Sequence, residues 1–279
     1  MNKTILLLLF LLSSDALRAA GDHIVSGTKA AGMGYASVAA ANLWSTGNNP
    51  AGMAFTRGLQ AGIYAENRFL VPELSMGTLA ISYSCHAGAF GGFVSHFGGE
   101  LYSELKVVAG YSRNFGKKFA AGLVFDYLHI SQEEFYGNKS AVSFEAGLMY
   151  RPDTKWSLGI HVVNPVPVNL GSGKDEQLPV IFRAGFSKLF SNVVEVAGEI
   201  EKSLDCKPVI RAGLEYRLPR VLALRAGFSS QPQMITAGIG MVFGSLYLGL
   251  ASSWQPELGY SPQAEVVWNI GKKQMTNDK

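Results

Sequence analysis

The sequence predicts an all-β fold: a transmembrane antiparallel β-barrel of about fourteen strands, with a small N-terminal plug segment in the lumen. Three observations predict it: the composition, the alternation of apolar and polar residues, and the lengths of the connections. Hydrophobic residues make up 48% of the chain and charged residues only 16%. A typical soluble domain carries about 25% charged residues. The low charge, together with 32 glycines, is therefore typical of a barrel in a membrane.

Residues 1–20 have the pattern of a secretory signal peptide. Lys3 supplies the positive charge, residues 5–12 form a short apolar core, and small residues allow cleavage after Ala16 or Ala19. The apolar run is too short to cross a bilayer, which takes about 20 apolar residues. The chain is therefore expected to be exported.

From residue 59 onward the chain divides into about fourteen segments of about ten residues with period-two alternation, as in membrane strands. In segment 140–151, for example, Val142, Phe144 and Leu148 share one face, because successive side chains of a strand point to opposite faces. A soluble two-sheet sandwich would alternate in the same way, but the apolar faces here begin or end in aromatic residues, as in the girdles of membrane barrels. The predicted strands cover residues 59–68, 78–84, 87–97, 103–114, 119–130, 140–151, 155–163, 179–188, 192–203, 208–218, 221–229, 234–243, 245–253 and 263–270.

The connections between these segments alternate in length. Those after odd-numbered segments are mostly longer, as in residues 164–178, and those after even-numbered segments are tight, as at Gly244. Outer-membrane barrels have long outer loops and short periplasmic turns. The parity therefore predicts a barrel in the cell outer membrane with both termini in the periplasm. It also places Cys85 and Cys206 at opposite ends of the barrel, so both are expected to be free.

The segment before the first strand, residues 21–56, is expected to be the plug. It is rich in small residues and has no strand alternation of its own. Two glycines in it would let the backbone pass close to the inner wall, and a Pro and a Gly near its end would turn the chain into the barrel, residues 57–271. A polar periplasmic tail, residues 272–279, is expected to follow. The plug motif comprises Gly32, Met33, Gly34, Asn49, Pro50 and Gly52.

A short repeat runs through the strands, with a charged residue, Ala and Gly in the middle of each copy: residues 144–148, 182–186, 210–214 and 224–228. Each copy points its charge and its Gly inward, and the inward Gly is expected to leave room for a neighbour's long side chain. The predicted lumen charge network comprises Glu145, Arg183, Glu199, Arg211, Glu215 and Arg225. It would either brace the barrel against the plug with salt bridges or form a polar conduit or gate.

Two connections stand out as candidate partner-docking loops. The longest carries Pro165 and Pro167, which stiffen it, and the connection 254–262 carries Trp254 and Tyr260. They are either ordinary surface loops or an outer rim that docks a partner protein, since function concentrates on loops held by a rigid scaffold.

Motifs for catalysis, cofactors and metals are absent from the sequence. The five histidines form no H-x-x-x-H or H-E-x-x-H pair, no G-x-S-x-G elbow occurs, and the Gly-Met-Gly of the plug has no βαβ context. We therefore expect no catalytic, cofactor-binding or metal-binding residues, and no enzyme. The formal net charge of +3 gives no reason to expect a nucleic-acid partner.

Residues 27–53 contain a set of positions that also occurs in a known protein family: Gly27, Ala30, Gly32, Met33, Gly34, Ala36, Val38, Ala39 and Asn49 to Met53. On these residues the chain resembles the PorV/PorQ-like proteins of Bacteroidota, relatives of the FadL outer-membrane transporters. The resemblance implies a fourteen-strand barrel with the N-terminal segment folded into the lumen. It also implies one of two functions, because PorV-like members are components of the type IX secretion system, whereas FadL-like members pass hydrophobic compounds inward.

The preferred hypothesis is a PorV/PorQ-like component of type IX secretion that docks exported or surface proteins. The alternative is a FadL-like transporter of hydrophobic small molecules, and a third is a structural barrel in another outer-membrane assembly. Expected partners are outer-membrane lipid and secretion-system or surface proteins, or a hydrophobic ligand for the transporter. A transporter should show an apolar cavity between plug and wall, lined by Met33, Tyr35, Val38 and Leu43.

Overall fold

A computed structural model describes residues 25–132, 137–171, 177–204, 206–218 and 221–270. The expected signal peptide and the expected tail lie outside these ranges. Within them, fourteen antiparallel strands close into one barrel, and every strand pairs with its neighbours in the sequence. The first and last strands close the seam, from Leu59 opposite Ile270 to Glu66 opposite Gln263. The predicted fold class is confirmed.

The strand bounds follow the predicted segments closely. The strands are β1 Gly58–Asn67, β2 Ser75–Cys85, β3 Gly88–Gly98, β4 Tyr102–Phe115, β5 Phe119–Gln132, β6 Lys139–Tyr150, β7 Trp156–Val163, β8 Ile181–Phe190, β9 Val194–Ser203, β10 Val209–Arg217, β11 Leu222–Ser230, β12 Gln233–Phe243, β13 Leu246–Gln255 and β14 Gly259–Ile270.

The wall is regular. In each of the fourteen pairings one step along a strand is matched by one step along its partner, as from Met76 opposite Phe97 to Cys85 opposite Gly88. Because no bulge interrupts these ladders, each strand keeps one face outward along its whole length. On β6, for example, Val142 is 65% exposed on the outer face, whereas Glu145 on the inner face is fully buried. The outer face is a band of apolar side chains, and the inner face carries the polar ones.

The segment before β1 folds inside the barrel as three short helical pieces. They are α1 Thr28–Gly32, α2 Ser45–Asn48 and a 3₁₀ helix, Pro50–Phe55. Asn49 caps the 3₁₀ helix by accepting a hydrogen bond from Ala51 N–H at 3.2 Å, and Pro50 suits the first helical position because it has no N–H to satisfy. We call residues 25–57 the plug. Within the described residues, no helix is long and apolar enough to span a membrane.

The structure corrects the expectation for Trp254 and Tyr260. They do not lie on a loop, because β13 continues to Gln255 and β14 begins at Gly259. The two aromatic residues face each other across the strands, and both are exposed on the outer face. The prediction had assigned residues 254–262 to a connection and had begun the last strand at residue 263. An outward pair near the end of a strand belongs instead to an aromatic belt.

The connection between β7 and β8 does carry Pro165 and Pro167, but part of it packs inward. Leu170 and Leu178 are buried against β5 and β6 in one apolar cluster. Among the described residues of this connection, Val166 is an exposed apolar side chain, 55% accessible. The described part of this loop therefore lies at one end of the barrel, with its leucines against the wall and Val166 at the surface. We call this end the loop end and the opposite one, with the short turns, the turn end.

Candidate functional site

The plug backbone lies directly against inward-facing glycines of the wall. A Cβ atom on Gly213 would lie 2.5 Å from Cβ of Met33, and one on Gly185 would lie 2.8 Å from a methyl carbon of Val38. Real side chains do not approach so closely, so these positions require glycine. The inward-facing glycines that contact the backbone or side chains of the plug form a set that we call the glycine track. It comprises Gly62, Gly91, Gly122, Gly147, Gly159, Gly185, Gly213, Gly227, Gly238 and Gly249.

The glycine track explains the internal repeat differently from the sequence expectation. The inward glycines of the four copies, at positions 147, 185, 213 and 227, all belong to it. They were expected to leave room for long side chains of neighbouring strands. At three of them the nearest atoms instead include the backbone of the plug, and at Gly185 they include the Val38 side chain. The plug was placed in the lumen by the sequence, but its contact with the repeat could not be read from the strands alone.

The plug motif residues lie along this contact. Gly32 ends α1 beside Gly238, and Gly34 adopts a positive φ of 66° next to the backbone of Phe228. Asn49 donates to the carbonyl oxygens of Val38 at 2.6 Å and Leu148 at 3.3 Å, so it joins two parts of the plug to β6. Gly52 serves the plug itself, since a Cβ there would lie 2.6 Å from the carbonyl oxygen of residue 40.

Arg183 and Glu199 hold the middle of the plug. The guanidinium of Arg183 donates to Glu199 at 2.7 Å, to Ser37 Oγ at 2.8 Å and to the carbonyl oxygen of Asn48 at 2.8 Å. The other carboxylate oxygen of Glu199 accepts the backbone N–H groups of Ser37 and Val38, both at 2.8 Å. Both side chains are almost fully buried. Buried charges with this many directional partners fix one position of the plug.

The six predicted network residues form two groups of contacts. In the first, Arg211 pairs with Glu199 at 2.9 Å, and the buried carboxylate of Glu145 lies 2.9 Å from His161 Nε2 and 2.9 Å from Lys106 Nζ. His161 Nδ1 lies 3.5 Å from Arg183, so His161 links the contacts of Glu145 to those of Arg183 and Glu199.

The second group centres on Glu215. Its carboxylate pairs with Arg225 at 2.6 Å and with Arg217 at 2.7 Å. Lys29 from the plug lies 3.6 Å from Glu215 and 2.8 Å from Glu195. The ammonium group of Lys29 in α1 therefore lies between two carboxylates of the wall, those of Glu195 and Glu215.

Several plug contacts were missed by sequence reasoning. Thr28 donates to Glu265 at 2.5 Å, and the indole N–H of Trp44 donates to the other oxygen of the same carboxylate. Ser26 and Asn48 pair through the Asn48 side chain. Short polar residues in a segment without periodicity give no signal of their partners, and Thr28 and Glu265 are 237 positions apart. Only the three-dimensional arrangement reveals them.

The other side of the plug is apolar. Leu43, Trp44 and Met53 pack against side chains of β1 to β5 in a single buried cluster. The rings of Trp44 and Tyr64 meet edge to face with centroids 5.7 Å apart. The wall residues of this cluster are Tyr64, Met76, Ala80, Ala89, Phe93, Val108, Val124 and Val267.

The apolar cavity expected of a transporter does not lie where it was expected. The void beside Met33 and Val38 measures about 10 Å³, about the space of one water molecule. Leu43 is 1% exposed within the apolar cluster, and Tyr35 receives a hydrogen bond from Gln263 at 3.1 Å. The interface between plug and wall is filled at these four residues because the glycine track brings the two backbones together.

A larger apolar space lies on the outer face of the wall. A groove of about 600 Å³ crosses β1 to β5, and its floor consists of two adjacent cross-strand pairs, Gly91 with Gly110 and Gly92 with Ala109. We call it the wall groove; its remaining lining residues are Leu59, Ile81, Ser82, Tyr83, Phe90, Tyr111, Leu123 and Phe125. At its floor the wall carries almost no side chains.

The wall groove and the plug lie on opposite sides of this thin part of the wall. Gly91 faces inward, and a Cβ there would meet Met53 and the hydroxyl of Thr46 at 2.6 Å. Only the backbone of β3 and β4 therefore separates an outer apolar space from the apolar side of the plug. The site can bind an apolar molecule of a few hundred Å³ by burying its surface. In the part of the chain that the structure describes, no group of three His, Cys, Asp or Glu could hold a metal ion.

An antiparallel barrel of this size with an apolar outer band and a polar, occupied lumen defines an outer-membrane type of transmembrane barrel. Neither a protein-family model nor a curated protein matches the sequence. Solved structures do match the fold. A Pseudomonas aeruginosa FadL homologue has a TM-score of 0.68 at 13% identity, over 88% of this chain and 98% of that one.

Two hydrocarbon channels have the same fold. The CymD monoaromatic hydrocarbon channel gives a TM-score of 0.73 at 12% identity, over 91% of this chain and all of that one. The P. putida toluene transporter TodX gives 0.67 at 14% identity, over 89% of this chain and 99% of that one. The chain therefore has the fold of the FadL-type barrels.

Proposed function

We propose that this protein is a FadL-like channel of the outer membrane that admits small hydrophobic molecules through the wall groove. The observation that carries the proposal is the wall groove itself, an apolar space backed by the apolar side of the plug. Two proteins that share the fold support it, since they are a monoaromatic hydrocarbon channel and a toluene transporter.

In the conformation described, the channel is closed. The ladder between β3 and β4 is continuous from Ala89 to Gly98. A molecule in the wall groove could therefore enter the lumen only after these two strands separate. The residues behind the floor, Thr46 and Met53, contact their surroundings mainly through apolar packing and hydroxyl contacts. Apolar packing can rearrange with less loss of energy than a buried ionic network. We therefore propose that opening starts at this side of the plug.

Uptake by intact cells tests the proposal. Cells of a strain with low background permeability would produce the protein, and the initial uptake rate of radiolabelled toluene would be measured. Ala109→Trp would fill the floor of the wall groove from outside, whereas Ala226→Trp places the same side chain on the outer face of β11, on the opposite wall. We expect the wild type and Ala226→Trp to raise uptake and Ala109→Trp to lower it toward background. Equal rates for the two variants, at equal amounts in the membrane, would contradict the proposal.

A second candidate function is supported by the filled lumen. A plug held by so many buried contacts suits a barrel that acts as a rigid scaffold, and a PorV/PorQ-like docking component of type IX secretion needs no conduit. Its docking surface would be the exposed stretch around Pro165, Val166 and Pro167 at the loop end. Replacing residues 165–168 with Gly-Ser-Gly-Ser should then abolish recovery of secretion-system or surface proteins after crosslinking in the native membrane. Recovery of no such protein by the wild type would exclude this function.

A further inference from the structure

The turn end of the barrel contains a second pocket, separate from the wall groove. It measures about 510 Å³ and lies between the plug, the turns that follow β4 and β6, and the nearby ends of β8 to β10. Plug residues 39–41 and Phe55 form one side, and Lys118, Arg151 and Trp156 lie on the other. We call it the turn-end pocket.

Arg151 is the central group of the turn-end pocket. Its backbone N–H donates to the carbonyl oxygen of Lys118 at 2.6 Å, which fixes it between two turns. Its Nε donates to Ser157 Oγ at 3.1 Å, and its guanidinium carbon lies 4.4 Å from the centroid of the Phe55 ring. Among the described residues it has no ion-pair partner, and burial lowers the pKa of Arg151 from its ordinary value. Its two terminal nitrogens are thus left to bind an acceptor in the pocket.

The charges around the pocket favour an anion. Six cationic side chains line it against two carboxylates, those of Asp153 and Glu195. Glu195 is already paired with Lys29 and Arg217.

Asp153 is engaged within its own turn. Its carboxylate accepts the N–H groups of Lys155 at 2.7 Å and of Trp156 at 2.8 Å, which hold the pKa of Asp153 below its ordinary value. Arg151 and the lysines at 117, 118 and 155 therefore face only Asp153 and, at longer range from Arg151, Glu195, which already has two cations of its own.

The shape of the pocket favours an anion with an apolar part. Ser157 accepts from Nε of the guanidinium and Phe55 covers one of its faces. An acceptor can therefore meet its terminal nitrogens, where two parallel N–H groups match the two oxygens of a carboxylate. Phe55, Trp156 and Leu189 line the same pocket, and apolar surface next to a charge favours an organic ion over a fully hydrated inorganic one. We propose that the turn-end pocket binds a small organic carboxylate, held by the edge of the Arg151 guanidinium and assisted by Lys117 and Lys118.

Calorimetric titration of the full chain in detergent micelles at low salt tests this proposal. The probe is benzoate, with benzyl alcohol as its uncharged analogue and inorganic phosphate as an anion without an apolar part. We expect saturable binding of benzoate and binding at least tenfold weaker for the other two. Arg151→Gln should weaken benzoate binding at least tenfold, and Lys117→Gln with Lys118→Gln, on an exposed turn, should weaken it several-fold. Lys207→Gln at the loop end should leave the affinity unchanged.

Four results would overturn the proposal: no saturable heat with benzoate, equal binding of benzyl alcohol, equal binding of phosphate, or wild-type affinity in the Arg151 variant. If Arg151→Gln does not fold, the double lysine variant decides the question, and unchanged affinity in it then counts against the site. The titration measures no transport, so its outcome is independent of whether the wall groove admits hydrocarbons.

Discussion

The plug meets the wall in two different ways on the two sides of the lumen. On the side of β8 to β11, which we call the ionic side, Arg183 and Glu199 hold backbone atoms of the plug through short hydrogen bonds. On the side of β1 to β5, the apolar side, Leu43 and Met53 pack in a cluster without charges. Directional hydrogen bonds specify one position of the plug, whereas apolar packing tolerates adjustment. The difference indicates which part of the plug stays fixed and which part can move.

The largest expected effect is on the ionic side. Arg183→Met leaves the buried carboxylate of Glu199 without its main counter-charge, so the free energy of unfolding should fall by about 3–5 kcal/mol. Unfolding by guanidinium chloride in detergent, followed by the heat-sensitive migration of the barrel on gels, would measure it. Arg217→Met is the matched control, because the Arg217 side chain is 39% exposed. Equal losses of unfolding free energy in Arg183→Met and Arg217→Met would show that the burial of an ion pair does not determine how much the pair stabilises the protein.

On the apolar side, Leu43→Ala should lower the free energy of unfolding by about 2–5 kcal/mol, from lost apolar burial and from the cavity left behind. The same unfolding measurement applies. A second measurement, amide hydrogen exchange, shows which part of the plug moves. In Leu43→Ala, exchange should become faster in residues 43–55 and remain unchanged at Ser37 and Val38. Faster exchange throughout the plug would mean that its two sides do not move independently.

Closer to the wall, Gly227→Ala tests the glycine track. A methyl group there meets the backbone at Gly34, so the plug or the strand must shift, at a loss of about 1–3 kcal/mol. Gly77→Ala is the control, since nothing lies within 4 Å of the added carbon. The two midpoints of unfolding should differ clearly. A small change in both would show that the plug yields easily on the ionic side.

The smallest expected effect is that of salt. Raising the salt concentration from 0.1 to 1 M should weaken the half-exposed contact of Arg217 with Glu195 by less than about 1 kcal/mol. The wild type should therefore lose a little stability, and Arg217→Met should lose less. A large salt effect that persists in Arg217→Met would indicate that water reaches the buried pairs around Glu199.

The strands of the wall could be predicted from the sequence because the facing of each residue depends on its neighbours along the chain. Period-two alternation decides which residues of β6 face inward, and turn residues mark its ends, so Glu145 was placed on the inner face from its neighbours alone. The errors occur where a local sign is ambiguous. Trp254 and Tyr260 looked like loop residues because a proline follows within the same stretch, although a regular strand accommodates all three.

The contacts of the plug could not be predicted in the same way. Which wall residue meets Thr28 depends on how the plug winds round the lumen, and that path is set by contacts between residues more than a hundred positions apart. Alternation predicts the inward face of the charged residues, but their division into two groups depends on strand spacing and on Lys29 of the plug. The wall groove gave no signal either, since small outward residues such as Gly92 and Ala109 occur in any strand.

The glycine track also constrains the order of assembly. A Cβ on Gly213 would lie 2.5 Å from Cβ of Met33, so the plug fits this part of the wall with no room for a side chain there. The plug immediately precedes β1, which forms the closing seam with β14. We therefore expect the plug to take its place while the seam is still open, so that the last strand closes round a segment that precedes the first strand.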